Sequence, residues 1–116
     1  MNIAMAQLLE AELERTEIQA VSVTDDSLIV DLRDGRSIVA PIAWYPRISY
    51  ATPKEQQHFE IHRNIIHWPD LDEEISVRGL LLGRKSGESS QSLQHWLAQR
   101  NTVTTPSEKS QPIGEL

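Results

Sequence analysis

The chain is 116 residues long, carries a net charge of −6 and contains no cysteine. That length holds one modest hydrophobic core, and the missing thiols exclude disulfides, thiolate nucleophiles, thiolate zinc sites and iron–sulfur ligation. With no run of about 18 apolar residues, the chain reads as a cytoplasmic protein with no membrane contact. Charge is uneven along it: residues 1–17 sum to −3, 18–83 to −4 and 84–116 to +1. Arg84, Lys85 and Arg100 are the basic residues of note there, a thin footprint for binding a phosphate backbone.

In chain order, "AMAQLLEAELER" places Met5, Leu8, Leu9 and Leu13 at helical spacing among glutamates, which predicts an amphipathic helix. The period then changes to two. "IQAVSV", "SLIVDL" and "SIVAP" predict three antiparallel strands with turns at Asp25-Asp26 and Asp34-Gly35. A two-residue Asp34-Gly35 loop would oppose Arg33 and Arg36. A three-residue loop with Gly35 left-handed pairs Val30 with Ile38 and Leu28 with Ala40, gathering Leu28, Val30, Leu32, Ile38 and Ala40 on one face; that register is expected.

Pro46 suits the first turn of a short helix, and "TPKE" supplies Thr52 as N-cap, Pro53 at the first helical position and Glu55 reaching back. This predicts a helix from Pro53 to about Glu60, with a strand returning over Ile61 to Ile66. "IHWPDLDEEISVRGLL" then poses the functional question, because a histidine, a tryptophan and four carboxylates fall close together. Ser76 is the expected cap of a helix over Val77–Leu82, with Ile75 stapling onto Leu80, and Asp72, Glu73 and Glu74 are placed beside its positive end. A polar link follows, then a helix in which Leu93, Trp96 and Leu97 share a face. Residues 101–116 are too polar and proline-interrupted to offset the entropy of ordering and are expected to be disordered. The resulting division is an N-terminal helical extension at 1–17, a single domain at 18–100 and a tail at 101–116.

No catalytic constellation emerges. Asp70, Asp72, Glu73 and Glu74 offer oxygen ligands, yet no loop glycine or terminal bidentate glutamate completes a calcium loop. His58 and His62 stand four apart, as in zinc-binding helices, but Phe59 occupies the position of the usual glutamate, and Ile61 and Ile65 end the helix before His62. His67 is read as a histidine bonded to backbone rather than a base. Trp68, held extended by Pro69, is either core or recognition surface. Neither a metal nor a cofactor is called for, and the chain is expected not to be an enzyme.

"DGRSIVAPIAWYPRI", "ATPKEQ" and "IHWPDLDEEISVRGLLLG", in this order, resemble the bacterial family known as domain of unknown function 2442. The resemblance runs from about Ile18 to Arg100, is most specific at His67-Trp68-Pro69, and extends to "SGES" at Ser86–Ser89. This chain departs from the pattern at Ile65, where members commonly have glycine, and in its acidic N-terminal helix. The resemblance implies a small α+β domain without established activity, whose relatives are in some cases fused to a helix-turn-helix and in many encoded beside a second small protein, as in toxin–antitoxin pairs.

These readings converge on an α+β fold: a three-stranded antiparallel sheet, with room for one added short strand, packed with short helices. The expected function is a non-enzymatic interaction module with a small protein partner, basic by charge complementarity, in an antitoxin-like arrangement. Trp44, Tyr45, His67, Trp68, Asp70 and Asp72 are the interaction candidates. The rival is a DNA-binding regulator using Gln91, Gln94, His95, Gln99 and Arg100 on one helix face.

Overall fold

A computed structural model describes residues 3–104 of the chain, which form two compact units divided between Ser86 and Gly87. The first opens with helix α1 (Ile3–Arg15) and continues into strands β1 (Ile18–Val23), β2 (Ser27–Leu32) and β3 (Ser37–Pro41). These make an antiparallel sheet in the order β1-β2-β3. Thr24 shapes the first turn, its hydroxyl accepting from the Ser27 amide at 2.9 Å.

The second hairpin has the expected bulged register, with Val30 opposite Ile38 and Leu28 opposite Ala40. Gly35 sits at φ +98° and its amide donates to the Leu32 carbonyl at 3.1 Å. No other residue adopts that backbone conformation so cheaply. Asp34 completes the loop by accepting from the Arg36 amide at 3.0 Å and from its guanidinium at 2.6 Å and 2.9 Å. Side-chain bonding to Arg36 holds the Asp34 carboxyl below its usual pKa and raises that of Arg36. Period-two burial follows: Leu28, Val30, Leu32 and Ala40 are buried, whereas Val39 faces water.

A 3₁₀ turn (Ile42–Trp44) leads to α2 (Pro46–Ser49) and α3 (Pro53–Gln57). The capping box at α3 is complete: Thr52 Oγ1 accepts from the Glu55 amide at 3.1 Å and Glu55 Oε1 accepts from the Thr52 amide at 2.9 Å. This helix is shorter than the sequence predicts, because His58 turns out of helical geometry at φ −95°, ψ 86°.

The larger departure follows. In place of one returning strand there are three, β4 (Glu60–His62), β5 (Ile65–Trp68) and β6 (Glu73–Ser76), forming a second antiparallel sheet in that order. A two-residue turn at Arg63-Asn64 interrupts the expected strand, with Arg63 at φ +60°. Glu73 and Glu74 therefore belong to a strand rather than to the entrance of a helix, and Asp72 lies in the β5–β6 turn at φ +51°. The helix itself, α4 (Val77–Leu81), forms as expected, with Ser76 Oγ accepting from the Gly79 amide at 2.9 Å. Ile75 and Leu80 are both buried.

Buried residues come from both sheets and the short helices between them; Trp68, Leu28, Ile48, Ile66, Leu71, Val30 and Val77 are the largest fully enclosed side chains. At about 25 cal/mol per Å² of apolar surface, such burial is the main term holding elements of three to six residues in place, since helices this short do not persist alone. The second unit contains α5 (Ser90–Thr104), capped by Ser89 Oγ accepting from the Ser92 amide at 3.1 Å. Residues 101–104, expected to be disordered, are its last turn; the rest of the expected tail lies outside the described residues.

Candidate functional site

The opening question about residues 66–81 is answered by strand alternation. Along β5, Ile66 and Trp68 point inward and are fully buried, so Ile65 and His67 face the other way. The register then sets the neighbours of His67: Glu60 opposite it on β4 and Glu74 opposite it on β6. Directly opposed residues share a face and approach closely, so the outer surface of the second sheet carries a row Glu60–His67–Glu74. His62 lies on the same face, two residues from Glu60, and its Nε2 is 3.2 Å from Glu60 Oε1.

The turn after β5 extends this surface. Asp70 Oδ2 is 2.7 Å from His58 Nδ1, a bond that ties the end of α3 to the β5–β6 turn. Arg47 reaches the same turn by donating from Nη1 to the Leu71 carbonyl at 3.0 Å. Asp70 and Asp72, in the turn that joins β5 to β6, are exposed, as are Glu60 and Glu74 on the flanking strands. The acidic residues that the sequence places at a helix entrance instead edge a sheet face. Exposed carboxylates stay solvated and act through long-range attraction, not as desolvated reagents.

The aromatic candidates separate from this surface. Trp68 is 0% exposed, donates from Nε1 to the Gln56 carbonyl at 3.1 Å and meets Phe59 with ring centroids 5.7 Å apart. Tyr45 is 3% exposed, and its hydroxyl donates to the Arg84 carbonyl at 3.0 Å. Burial, reinforced by the carboxylate of Glu73, pushes the Tyr45 phenol above its ordinary pKa. Both side chains are therefore packing elements, and neither can anchor a partner without unfolding the domain. Trp44 is half-buried, with the Lys85 ammonium 5.2 Å from its ring centroid and its carbonyl accepting from the Ser86 amide at 3.0 Å. Of the six candidates, the fold brings His67, Asp70 and Asp72 to one region and assigns Tyr45 and Trp68 to the interior.

Glu60 was not singled out by sequence reasoning, and Glu74 and His58 were weighed only as metal ligands or, for Glu74, as part of a helix entrance, because β4 and β6 were not recognised. The available signal was the alternation of Glu60 and His62 around Ile61 ahead of Arg63-Asn64. Among the described residues no group of three or more histidines and carboxylates is arranged to hold a metal ion. A pocket of about 300 Å³ lies elsewhere, lined by Glu12, Arg15, Thr16, Glu17, Arg33 and Asp34. Its charges pair with one another or with neighbours: Arg15 with Glu12 at 3.2 Å, Arg33 with Glu17 at 3.5 Å and Asp34 with Arg36 at 2.6 Å.

Comparison with known proteins places this architecture. The family model described as "Protein of unknown function (DUF2442)" matches residues 18–86. The chain belongs to this family. The match takes in both sheets and α4 and leaves α1 and α5 outside it. No curated protein matches the chain. Two solved structures share the fold. One is a crystal structure of a protein of unknown function from Rhodospirillum rubrum, 22% identical, with TM-score 0.54, covering 63% of this chain and 93% of that one. The other is a solution structure of an uncharacterised protein from Chromobacterium violaceum, 20% identical, with TM-score 0.56, covering 84% and 88%. Among the described residues, no helix is long and apolar enough to cross a membrane.

Proposed function

We propose that this DUF2442 chain is a non-enzymatic, cytoplasmic interaction module that binds a small basic protein through the outer face of its second sheet. The observation that carries the reading is the cross-strand row Glu60–His67–Glu74, with Asp70 and Asp72 at its end. A rigid sheet presents these carboxylates at fixed spacing, and a field of one sign raises the rate of encounter with a cationic partner. Trp68 supports the face from beneath, through core packing. An antitoxin-like role with the product of an adjacent gene is the specific form of the proposal.

The experiment is co-expression and pull-down with that small protein, using Glu60→Lys, Glu74→Lys and the double variant. Both positions are at the surface, so folding is preserved. The reading expects binding that weakens with added salt and is lost in the double variant; full binding by the double variant contradicts it. The DNA-binding alternative rests on the exposure of Gln91, Gln94, His95 and Gln99 on α5. Its main cation, Arg100, lies with its guanidinium 4.5 Å from the Trp96 ring centroid, already engaged along the same helix.

A further inference from the structure

Three of the chain's four histidines, His58, His62 and His67, stand beside carboxylates of the second sheet and its turn. His58 Nδ1 is 2.7 Å from Asp70 Oδ2, and His62 Nε2 is 3.2 Å from Glu60 Oε1. His67 has a glutamate opposite it on each neighbouring strand, Glu60 on β4 and Glu74 on β6. Elsewhere in this unit carboxylates pair with arginine: Glu12 with Arg15, Asp34 with Arg36, and Glu17 with both Arg33 and Arg63. A guanidinium keeps its charge at any pH a folded protein tolerates. Histidine is the side chain whose charge changes between pH 5 and 8.

The fixed cations nearby serve other partners. Arg63, next to His62 in the chain, turns its Nε toward Glu17 at 3.6 Å, and Arg47 reaches the β5–β6 turn through the Leu71 carbonyl. His58 and His62 are exposed and His67 is half-buried. Exposed ion pairs contribute little to stability, so proton uptake here leaves the fold in place and acts on the electrostatic field. With the imidazoles neutral, Glu60, Asp70 and Glu74 present three negative charges. With the imidazoles protonated, three positive charges stand against those three, and attraction for a cation collapses. Carboxylates keep their charge over the same interval, Asp72 among them. Protonation also makes the His58–Asp70 contact a charge-assisted bond, which holds a carboxylate oxygen that a lysine would otherwise reach.

We propose that the outer face of the second sheet is gated by pH: it attracts a cationic partner while His58, His62 and His67 are neutral, and loses that attraction as they take up protons. The gate rests on the docking reading above and adds the condition under which that face works. It needs no movement of the backbone, because the strand register and the β5–β6 turn already set each imidazole beside its carboxylate.

Decalysine is the probe for the test, because its ammonium charges are constant over this interval and any change with pH then comes from this chain. Its binding to the full chain at low salt, read at the amides of Glu60, His67 and Glu74 in an isotope-edited spectrum, should weaken about tenfold or more between pH 7.5 and 5.5. In the unaltered chain the imidazole Cε1 proton resonances should move over the same pH interval as the affinity. The triple variant His58→Asn, His62→Asn, His67→Asn, checked for unchanged circular dichroism, should bind as well at the lower pH as at the higher. Equal affinity of the unaltered chain at both pH values overturns the gate and leaves the docking face standing. So does a pH effect that survives the triple change, or one that runs out of step with the imidazole resonances. Absence of any shift at the higher pH removes the docking reading, and the gate with it.

Discussion

Replacing Trp68 by alanine separates a structural tryptophan from a recognition residue. The side chain is 0% exposed, its indole N–H donates to the Gln56 carbonyl at 3.1 Å, and its ring meets Phe59 at 5.7 Å. Truncating a buried aromatic to alanine costs about 3–5 kcal/mol in lost transfer energy and residual cavity. That figure already includes the lost aromatic contact, and the stranded Gln56 carbonyl moves it toward the upper end. Against a total stability of about 5–15 kcal/mol for a domain, the loss removes a large share of the folded population's margin. With a urea slope of about 1–1.5 kcal/mol per molar, the unfolding midpoint should fall by roughly 2–5 M. Far-ultraviolet circular dichroism follows the transition without depending on the deleted chromophore. Trp68→Phe, which keeps an aromatic ring but no donor, should fall between the two. A loss below about 1 kcal/mol with cooperative unfolding intact would refute the assignment of Trp68 to the core.

Three further outcomes follow from local geometry. Gly35→Ala should cost about 1–2 kcal/mol by denaturant titration, purely through the backbone, because no atom lies within 4 Å of the added methyl; an unchanged midpoint would mean the turn is not left-handed in solution. Thr52→Ala should cost about 1 kcal/mol by removing the Glu55 amide's acceptor, with Thr52→Ser recovering most of it. For Tyr45, the raised phenol pKa means that above about pH 10 the unfolded chain releases this proton before the folded chain does. Fewer protons are then bound in the unfolded state, so stability is full below that pH and falls as pH rises. Tyr45→Phe should abolish this alkaline loss, and a loss that persists in the variant would assign it to another group.

Legibility in the sequence followed the number of residues that each signal spans. The first sheet was readable because its strands run five or six residues, with clean alternation in β2, and because the cost of opposing Arg33 and Arg36 picked the register now seen at Val30 and Ile38. The caps at Thr52 and Ser76 were readable because each is a local chemical pattern needing no tertiary information. The second sheet was not. Strands β4, β5 and β6 are three or four residues long, too short for alternation to register, and Glu73-Glu74 has the composition of a helix entrance. Their pairing is set by the Arg63-Asn64 turn and by burial of Ile66, Trp68 and Ile75. The candidate surface inherited that gap: His67, Asp70 and Asp72 could be named, but Glu60 and Glu74 become its neighbours only through register. Tyr45 and Trp68 could be read as core or as surface, and tertiary packing decided for the core.

The most direct test of the proposed binding face is an isotope-edited amide spectrum of the chain, titrated with the small protein encoded beside it. The account predicts shifts contiguous over β4, the outer residues of β5, Asp70, Asp72 and Glu74, with α5 and the β2–β3 turn unmoved. Perturbations confined to α5, or saturation with no change at Glu60, His67 and Glu74, would contradict it.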